Sequence, residues 1–445
     1  MSTRVLLAGA AILVALGCSC TDRSELPLEP TTEVLADHGN AVASVWYFDS
    51  ASDDGRVRLQ WRTGRKGWVP GPLFPGDPAP SPPPAVGKVS LLMSEESPET
   101  GFTSVVEHAY DGPDSSWVEG LTNRKVYYFR LATYDSANHT LLGHSAPLMT
   151  TPGLQPTQVH IVATGLVPEF FSSAAWSPDG RRLAFVRPTE QGSNGYEGNI
   201  CVFDVTTGTD RQLTFYEETE HYLAGPAWSP DGAWIAYSYS PTRTAGGIDY
   251  RIWRTSVSSF NAAMVTEGRI DSDPAWGPGG DLVFCRGTWG PPNIPELWIA
   301  SPNTWAARQL TFDQLSRKRH PSVNGRTGVI AYAEEPLGSL DQHLYAIDPG
   351  GGSSYPLTSN RHWTEREPAW AADGMRVIFT SDRSGHREIW SHNTVSGAYL
   401  QLTRGLEERP ARTAGALSPD GTLLAYREEL RYTSRGSLII VQTEP

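Results

Sequence analysis

The sequence has little cysteine and methionine, and it lacks any long stretch with the 3.6-residue apolar period of an amphipathic helix. Of 445 residues only 4 are Cys and 5 are Met, whereas 43 are Gly and 35 are Pro. Gly and Pro interrupt regular elements and occupy turns, so this composition favours short strands over helices. We therefore expect an all-β protein.

An excess of positive charge is also missing. The formal net charge is −13 at pH 7, whereas nucleic-acid-binding surfaces are basic, so no nucleic-acid partner is expected. Cys201 and Cys285 lie in apolar, strand-like segments. They are predicted to be small buried thiols, with a disulfide in an oxidising compartment as the alternative.

Motifs of known enzymatic chemistry are scarce. The 11 His residues form no HExxH motif, and no Gly-rich phosphate loop occurs. The segment GHSAP at Gly143–Pro147 resembles a hydrolase nucleophile elbow but lacks its final Gly. The sequence therefore predicts no catalytic residue and no resident cofactor.

The first residues look like a targeting segment. Val5–Leu16 is an apolar run too short to span a bilayer as a stable helix, and ALGC follows at residues 15–18. This pattern resembles a bacterial lipoprotein signal, which implies removal of residues 1–17 and lipidation of Cys18. Cys20 is the alternative attachment site, and cleavage of an ordinary signal is the other interpretation. We expect an exported protein anchored by lipid to the cell envelope, with the outer membrane favoured, and a tether over residues 18–40.

A six-residue phrase recurs along the second part of the chain. AWSPDG occupies residues 175–180 and again 227–232, and weaker copies follow around Trp276, Val323, Trp370 and Leu417, at intervals of 52, 48, 47, 47 and 47 residues. Within the phrase, Pro presets φ, Asp can bond to the backbone and Gly accepts positive φ, so a tight turn is predicted. Two apolar segments and, in most units, a short QLT-like segment follow each copy. The repeat therefore predicts units of four short strands.

Radial stacking of these units into a β-propeller would bury both faces of every sheet. The sixth unit lacks a fourth strand before the chain reaches Pro445, and the segment QVHIVATG at residues 158–165 precedes the first unit without a partner. We expect this segment to pair with the last unit. The prediction is a six-bladed propeller over residues 158–445, closed by its two ends.

AWSPDG, the segment SDRSGHREIW at residues 381–390 and the RQLT segments at Arg211 and Arg308 resemble the TolB-type, WD40-like propeller family. Members of that family carry an α/β domain before the propeller and bind the peptidoglycan-associated lipoprotein. A different domain precedes the repeats here. The resemblance therefore implies a fold and an envelope location, and leaves the partner open.

Residues 41–152 resemble a fibronectin type III sandwich. The strand-like segment RVRLQWR at residues 56–62 alternates around Trp61, and GLTNRKVYYFRLATYDSANH begins at Gly120. The second segment matches the family's tyrosine corner, with Tyr127 or Tyr128 as the corner residue. A Pro-rich insertion at residues 68–84 is a departure from the pattern.

Charged side chains gather in the segments that enter the innermost strand of each predicted unit. In a propeller these segments open at one mouth of the central channel, and convergent polar groups in a concave site are the usual sign of binding. They could receive a peptide segment or a hard cation such as Ca²⁺, or could simply solvate the rim. The candidates are Glu169, Glu220, His221, Asp271, Asp273, Arg319, His320, Glu365, Glu367, Glu407, Glu408 and Arg409.

Three functional hypotheses remain at this point. The first is a non-enzymatic envelope lipoprotein whose propeller binds a protein or peptide partner at the channel mouth. The second is a carbohydrate-active or metal-dependent propeller, for which His221 and His320 are the only pair to nominate. The third is an architectural envelope protein without a dedicated ligand.

Overall fold

A computed structural model describes residues 45–63, 86–109, 115–136, 140–154, 156–166, 174–188, 198–217, 221–241, 243–244, 247–268, 270–287, 293–358, 362–404, 411–429 and 436–443. Every regular element in these ranges is a β-strand. No helix with the length and apolar character of a membrane span occurs among them. The predicted signal, the tether and the Pro-rich insertion lie outside the described residues.

Residues 45–150 form eight strands in two antiparallel sheets. The strands are β1 (Val45–Asp53), β2 (Arg56–Thr63), β3 (Val86–Ser94), β4 (Thr103–Ala109), β5 (Ser115–Val118), β6 (Tyr127–Asp135), β7 (Leu141–His144) and β8 (Leu148–Thr150). One sheet has the order β1-β2-β5, and the other has the order β4-β3-β6-β7 with β8 also paired to β6. We call these two sheets the N-terminal unit.

The two sheets of the N-terminal unit share one apolar core. Leu59 and Trp61 from the first sheet pack in the same buried cluster as Leu91 and Phe129 from the second. The hydroxyl of Tyr127 accepts a hydrogen bond from the backbone N–H of Thr122 at 2.9 Å, which is the arrangement of a tyrosine corner. Of the two tyrosines left open by the sequence, Tyr127 is therefore the corner residue.

The remaining strands form six four-stranded antiparallel sheets, numbered here from one to six in chain order. The strand β9 (Thr157–Leu166) comes first; sheet one then consists of β10 (Ala175–Trp176), β11 (Arg182–Pro188), β12 (Gly198–Asp204) and β13 (Thr209–Gln212), and sheet two of β14 (Tyr222–Trp228), β15 (Trp234–Ser240), β18 (Arg251–Ser256) and β19 (Ala262–Met264), with the small hairpin β16 (Arg243–Thr244) and β17 (Gly247–Ile248) between β15 and β18. Sheet three consists of β20 (Asp271–Trp276), β21 (Leu282–Arg286), β22 (Glu296–Ala300) and β23 (Ala307–Gln309), and sheet four of β24 (Ser316–Val323), β25 (Ile330–Pro336), β26 (His343–Ile347) and β27 (Tyr355–Pro356). Sheet five consists of β28 (Glu365–Trp370), β29 (Arg376–Ser381), β30 (Glu388–Asn393) and β31 (Tyr399–Gln401), and sheet six contains β32 (Arg412–Leu417), β33 (Leu423–Glu429) and β34 (Gly436–Gln442).

The fourth strand of sheet six comes from the other end of the repeat region. β9 pairs antiparallel with β34, from Thr157 opposite Gln442 to Leu166 opposite Gly436. The first strand of each sheet, which we call its inner strand, contacts the inner strands of the neighbouring sheets. The arrangement is propeller-like.

The recurring phrase forms the tight turn between the first and second strands. In sheet one, the Ser177 hydroxyl accepts a hydrogen bond from the N–H of Arg182 at 2.9 Å, and the N–H of Gly180 donates to the Ser177 carbonyl at 2.9 Å. Ser229 and Ser418 make the same contacts in sheets two and six. The turn therefore fixes the register of the hairpin, which explains the repetition of the phrase.

The threonines of the QLT segments bond to the neighbouring strand. The Thr311 hydroxyl accepts a hydrogen bond from the N–H of Leu297 at 2.9 Å and donates to the buried carboxylate of Glu296. Thr403 makes the same pair of contacts to Ile389 and Glu388. The hydroxyl thus satisfies a backbone donor and a buried acid at the edge of the sheet.

The N-terminal unit docks on sheet five. The N–H of Met149 donates to the carbonyl of Arg383 at 2.7 Å, the N–H of Ser50 donates to the carbonyl of Ser384 at 3.0 Å, and the indole of Trp363 donates to the carbonyl of Pro147 at 2.9 Å. Met149 also packs in one apolar cluster with Trp390. The segment SDRSGHREIW, which carries part of the family resemblance, therefore supplies the contact surface between the two parts of the chain.

Cys201 and Cys285 are buried free thiols on β12 and β21. Burial raises the pKa of the Cys201 thiol to about 11, which suits an unreactive core residue. The sequence-based interpretation of these two residues as buried thiols is confirmed.

Candidate functional site

Five consecutive inner strands carry a β-bulge at the same position. The residue in the bulge has positive φ in each strand and is followed by Pro in four of them: Gly225 (φ 65°), Asp273 (54°), His320 (50°), Glu367 (54°) and Ala414 (53°). We call these five the bulge residues. Four of them are not glycine, so their left-handed backbone conformation is strained. Such strained residues tend to cluster at functional sites.

The bulge residues occupy equivalent positions on their strands, and two of the neighbouring pairs contact one another. A Cβ on Gly225 would lie 3.7 Å from the Cα of Asp273. The N–H of Ala414 donates to Oε2 of Glu367 at 2.7 Å, and the same oxygen accepts a bond from the Thr380 hydroxyl at 2.7 Å. Asp273, His320 and Glu367 are all half-buried. Three of the predicted candidates therefore occupy equivalent positions on the inner strands of sheets three, four and five, which we call the ring positions.

Two predicted rim carboxylates are not open to solvent. Asp271 is fully buried and accepts two hydrogen bonds from Arg286, at 2.6 Å from Nε and 2.8 Å from Nη2. Glu365 is fully buried against the guanidinium of Arg383 and the hydroxyl of Thr358. Both carboxylates hold strands together inside the protein, and this corrects the expectation that they present free charge at the mouth.

Arginines reach the entrance of the inner strands instead. We use the term entrance for the end of the sheets at which the chain enters each inner strand. Arg319 and Arg317, both on β24, lie 3.5 Å and 2.6 Å from the carboxylate of Glu335, whose side chain is only 10% exposed. The side chain of the predicted candidate Arg319 is 38% exposed, so it is more accessible to solvent than that carboxylate. The accessible charge at this place is therefore positive.

The two candidate histidines have separate surroundings. His221 is 1% exposed, and its Nε2 lies 3.0 Å from the nitrogen and 2.9 Å from the oxygen of Gly198. Its ring packs near Tyr216 and Tyr239. His320 is the bulge residue of sheet four, whereas His221 directly precedes the inner strand of sheet two. The two histidines of the pair nominated for a metal-dependent or carbohydrate-active site therefore belong to sheets that are not consecutive in the chain.

Five further rim candidates and the lipidation site, Glu169, Glu220, Glu407, Glu408, Arg409 and Cys18, lie outside the described residues. Within the part of the chain that the structure does describe, no group of three His, Cys, Asp or Glu side chains is arranged to hold a metal ion. The Ca²⁺ expectation gains no ligand set from these residues.

The sequence reasoning missed Arg366, which lies between Glu365 and Glu367 on β28, and Arg387, which acts electrostatically on Arg366. It also missed the bulges, although a signal was present. A Pro two or three residues before the end of a strand pattern recurs in GPAW, DPAW, HPSV and EPAW, and Pro within a strand is typical of a bulge or an edge.

Comparison with known proteins gives a limited similarity. No protein-family model matches the chain. The chain is 23% identical over 254 residues to the Tol-Pal system protein TolB of Francisella tularensis subsp. mediasiatica (strain FSC147), covering 55% of this chain and 54% of that protein. It is 36% identical over 83 residues to TolB of Anaeromyxobacter dehalogenans (strain 2CP-C), covering 19% of this chain and 18% of the relative. The chain thus spans about half the length, or less, of these curated relatives.

Among solved structures, TolB of Acinetobacter baumannii is similar with a TM-score of 0.44 and 16% identity, covering 72% of this chain and 77% of that one. Oligogalacturonate lyase of Vibrio parahaemolyticus has a TM-score of 0.44 and 11% identity, covering 72% of this chain and 98% of that one. Neither similarity is strong enough to transfer an activity. The predicted resemblance to TolB is confirmed as a sequence similarity over about half of the chain.

Proposed function

We propose that this chain is a non-enzymatic lipoprotein of the cell envelope whose entrance binds a segment of a partner protein. The bulge residues are the observation that carries the proposal. Gly would adopt positive φ without strain, yet Asp273, His320 and Glu367 occupy that conformation on neighbouring inner strands. A polar ring held in this way is suited to recognition of a ligand that enters the channel.

The modular build fits a tethered receptor. In this proposal residues 1–17 are the signal peptide, residues 18–40 tether Cys18 to the fold, and residues 41–152 are a fibronectin type III-like sandwich. Residues 158–445 are a six-bladed propeller, closed where β9 completes sheet six. The contacts of Met149 and Pro147 with sheet five support a sandwich that holds the propeller in a fixed orientation.

Similarity to proteins of the Tol-Pal system supports an envelope location, in the periplasm or at the outer membrane. The partner is proposed only by its kind: a protein or peptide of the same compartment. The proposed membrane contact is the lipid at Cys18.

Photo-cross-linking in intact cells tests the proposal. A photoreactive residue is placed at Asp273, His320 or Glu367, and the matched controls are at Thr209, Ala263 and Tyr355, which are exposed on the outer strands of sheets one, two and four. We expect one discrete protein adduct from the ring positions and none from the controls. Equal labelling at both sets of positions, or no adduct at all, would remove the docking proposal.

A further inference from the structure

A cluster of four guanidinium groups lies at the entrance between sheets four and five. Arg317 and Arg319 come from β24, Arg366 comes from β28, and Arg387 directly precedes β30. Glu335 contacts Arg317 and Arg319, and it also acts electrostatically on Arg366. The four positive groups therefore share one region of the entrance.

The carboxylates in this region are already engaged inside the protein. Glu335 is paired with Arg317 and accepts a hydrogen bond from the Gln342 amide at 2.9 Å. Glu367 accepts bonds from Thr380 and from the N–H of Ala414.

Asp382 accepts a bond from the N–H of Thr364 at 2.9 Å, and its pKa is raised by burial. Three acids and four arginines thus lie in this region, and each of the three acids accepts a hydrogen bond from within the protein.

Arg366 and Arg387 lie near these acids without forming a close ion pair with them. Within the described residues neither guanidinium has an ion-pair partner, and Nε of Arg366 is buried without a hydrogen-bond acceptor. Burial lowers the pKa of Arg366 and the neighbouring charge of Arg387 lowers it further, whereas Glu367, Asp382 and Glu335 act in the opposite direction. An added carboxylate would give these two like charges a close ion-pair partner and would supply an acceptor for Nε of Arg366.

An apolar patch adjoins these arginines. Leu315 and Leu340 are 74% and 81% exposed, and Phe312 and Leu337 are also exposed. The N–H of Leu337 donates to the carbonyl of Leu315 at 2.9 Å, so the two loops that carry the patch are joined. Nη2 of Arg366 donates to the carbonyl of Leu340 at 3.3 Å, which links the patch to the cluster. Large exposed apolar side chains grouped in this way are typical of interaction sites.

We infer that Arg319, Arg366 and Arg387, together with Leu315 and Leu340, form the docking surface for an acidic protein segment with apolar residues between its carboxylates. This inference rests on the proposed docking function and specifies the chemistry of the partner. Charge complementarity selects the acidic segment, and the leucines supply apolar burial next to it.

Fluorescence anisotropy with the full chain tests the inference. The probe is a short labelled peptide that alternates Glu and Leu, compared with peptides of equal length that alternate Gln and Leu or Lys and Leu. We expect binding of the Glu peptide alone, weakened roughly tenfold by R366Q and by R387Q and several-fold by L340S, as is common for charged and apolar interface residues. Raised salt should weaken it further. R181Q and V395S are the matched controls, because Arg181 and Val395 are exposed at the opposite end of the sheets.

Equal binding of the Gln peptide would overturn the inference, because charge would then play no part. Binding of vesicles rich in phosphatidylglycerol that is lost in R366Q, without peptide binding, would assign the cluster to a membrane surface and also overturn it. If cross-linking at His320 captures a partner while the Glu peptide fails to bind, the acidic preference fails and the docking function stands. If cross-linking at His320 captures no partner and the Glu peptide does not bind, the proposed docking function fails as well.

Discussion

Trp176 donates a hydrogen bond from its indole nitrogen to the carbonyl of Ala416 at 2.9 Å, although the two residues are 240 positions apart. Trp176 lies on the inner strand of sheet one, and Ala416 lies on the inner strand of sheet six. Trp276 makes the equivalent bond to Ala227 at 3.1 Å between sheets three and two. The same type of indole hydrogen bond therefore joins sheets two and three, which are consecutive in the chain, and sheets one and six, which are the first and the last.

Replacing Trp176 by Phe should lower the free energy of unfolding by roughly 1 to 3 kcal/mol, through the lost hydrogen bond and the smaller ring. Denaturant unfolding measures the change, and W276F should cost a similar amount. Trp228, whose indole nitrogen has no partner among the described residues, provides the control, and W228F should cost less. A W176F variant as stable as the parent would indicate that the two ends do not meet in solution.

Thr311→Val should destabilise the protein by about 2 to 4 kcal/mol, because it leaves the Leu297 N–H and the Glu296 carboxylate, 4% exposed, without their shared partner. T403V should behave alike in sheet five. Thr209→Val, at an exposed position of β13, serves as the control and should change the unfolding midpoint little. If T311V and T209V unfold at the same denaturant concentration, the structural role assigned to the QLT threonine is wrong.

Acid should destabilise the protein partly through Glu388. Burial alone would raise the pKa of this carboxylate. The guanidinium of Arg412, at 2.7 Å, is the largest influence in the opposite direction, and together with His386 it brings the pKa down from 4.5 to about 2. Because the folded pKa is depressed, this stabilisation is complete above the unfolded pKa and is lost as the pH falls from about 4.5 to 2, amounting to about 2 to 3 kcal/mol. E388Q should be less stable near neutral pH and should lose less stability over that window. The exposed E217Q should keep the parental slope, and an E388Q slope equal to the parent's would refute the assignment.

The buried ion pair of Arg383 and Glu365 should show strong coupling. The two side chains are 1% and 0% exposed, and the guanidinium also packs against the rings of Tyr399 and Phe379 at 4.6 and 4.8 Å. Either single change, R383M or E365Q, should cost about 3 to 5 kcal/mol, because a buried charge or donor is left unpaired. The double variant should cost clearly less than the sum, which thermal unfolding of all four proteins measures. Additive costs would mean that the two side chains act independently.

Much of this fold could be predicted from the repeat, and part of the site could not. The Ser-Pro-Asp-Gly turn needs only local contacts, so its spacing predicted six sheets and the strand at residues 158–165 that completes the last one. The charge of Asp271 was misjudged because its partner Arg286 lies across a hairpin, although the register pairs these two residues directly. Glu365 and Arg383 meet only after the chain turns beyond β29, and no sequence pattern specifies such a contact. Local turn chemistry is visible in sequence, whereas desolvation and pairing of charge depend on the assembled sheets.

The proposal that a ligand enters a central channel depends most directly on a closed ring, since the inner strands enclose a channel only if sheets one and six meet. Thr157 and Gln442 are exposed register partners on β9 and β34, so T157C/Q442C should form a disulfide on mild oxidation, mapped by mass spectrometry of the digested protein. We expect near-complete bonding and an unfolding free energy raised by up to about 5 kcal/mol, since the bond closes a very long loop. The control T157C/A263C, with its second cysteine on the outer strand of sheet two, should stay reduced. Bonding no more efficient than in that control would contradict the closed ring and the proposal that a ligand enters its channel.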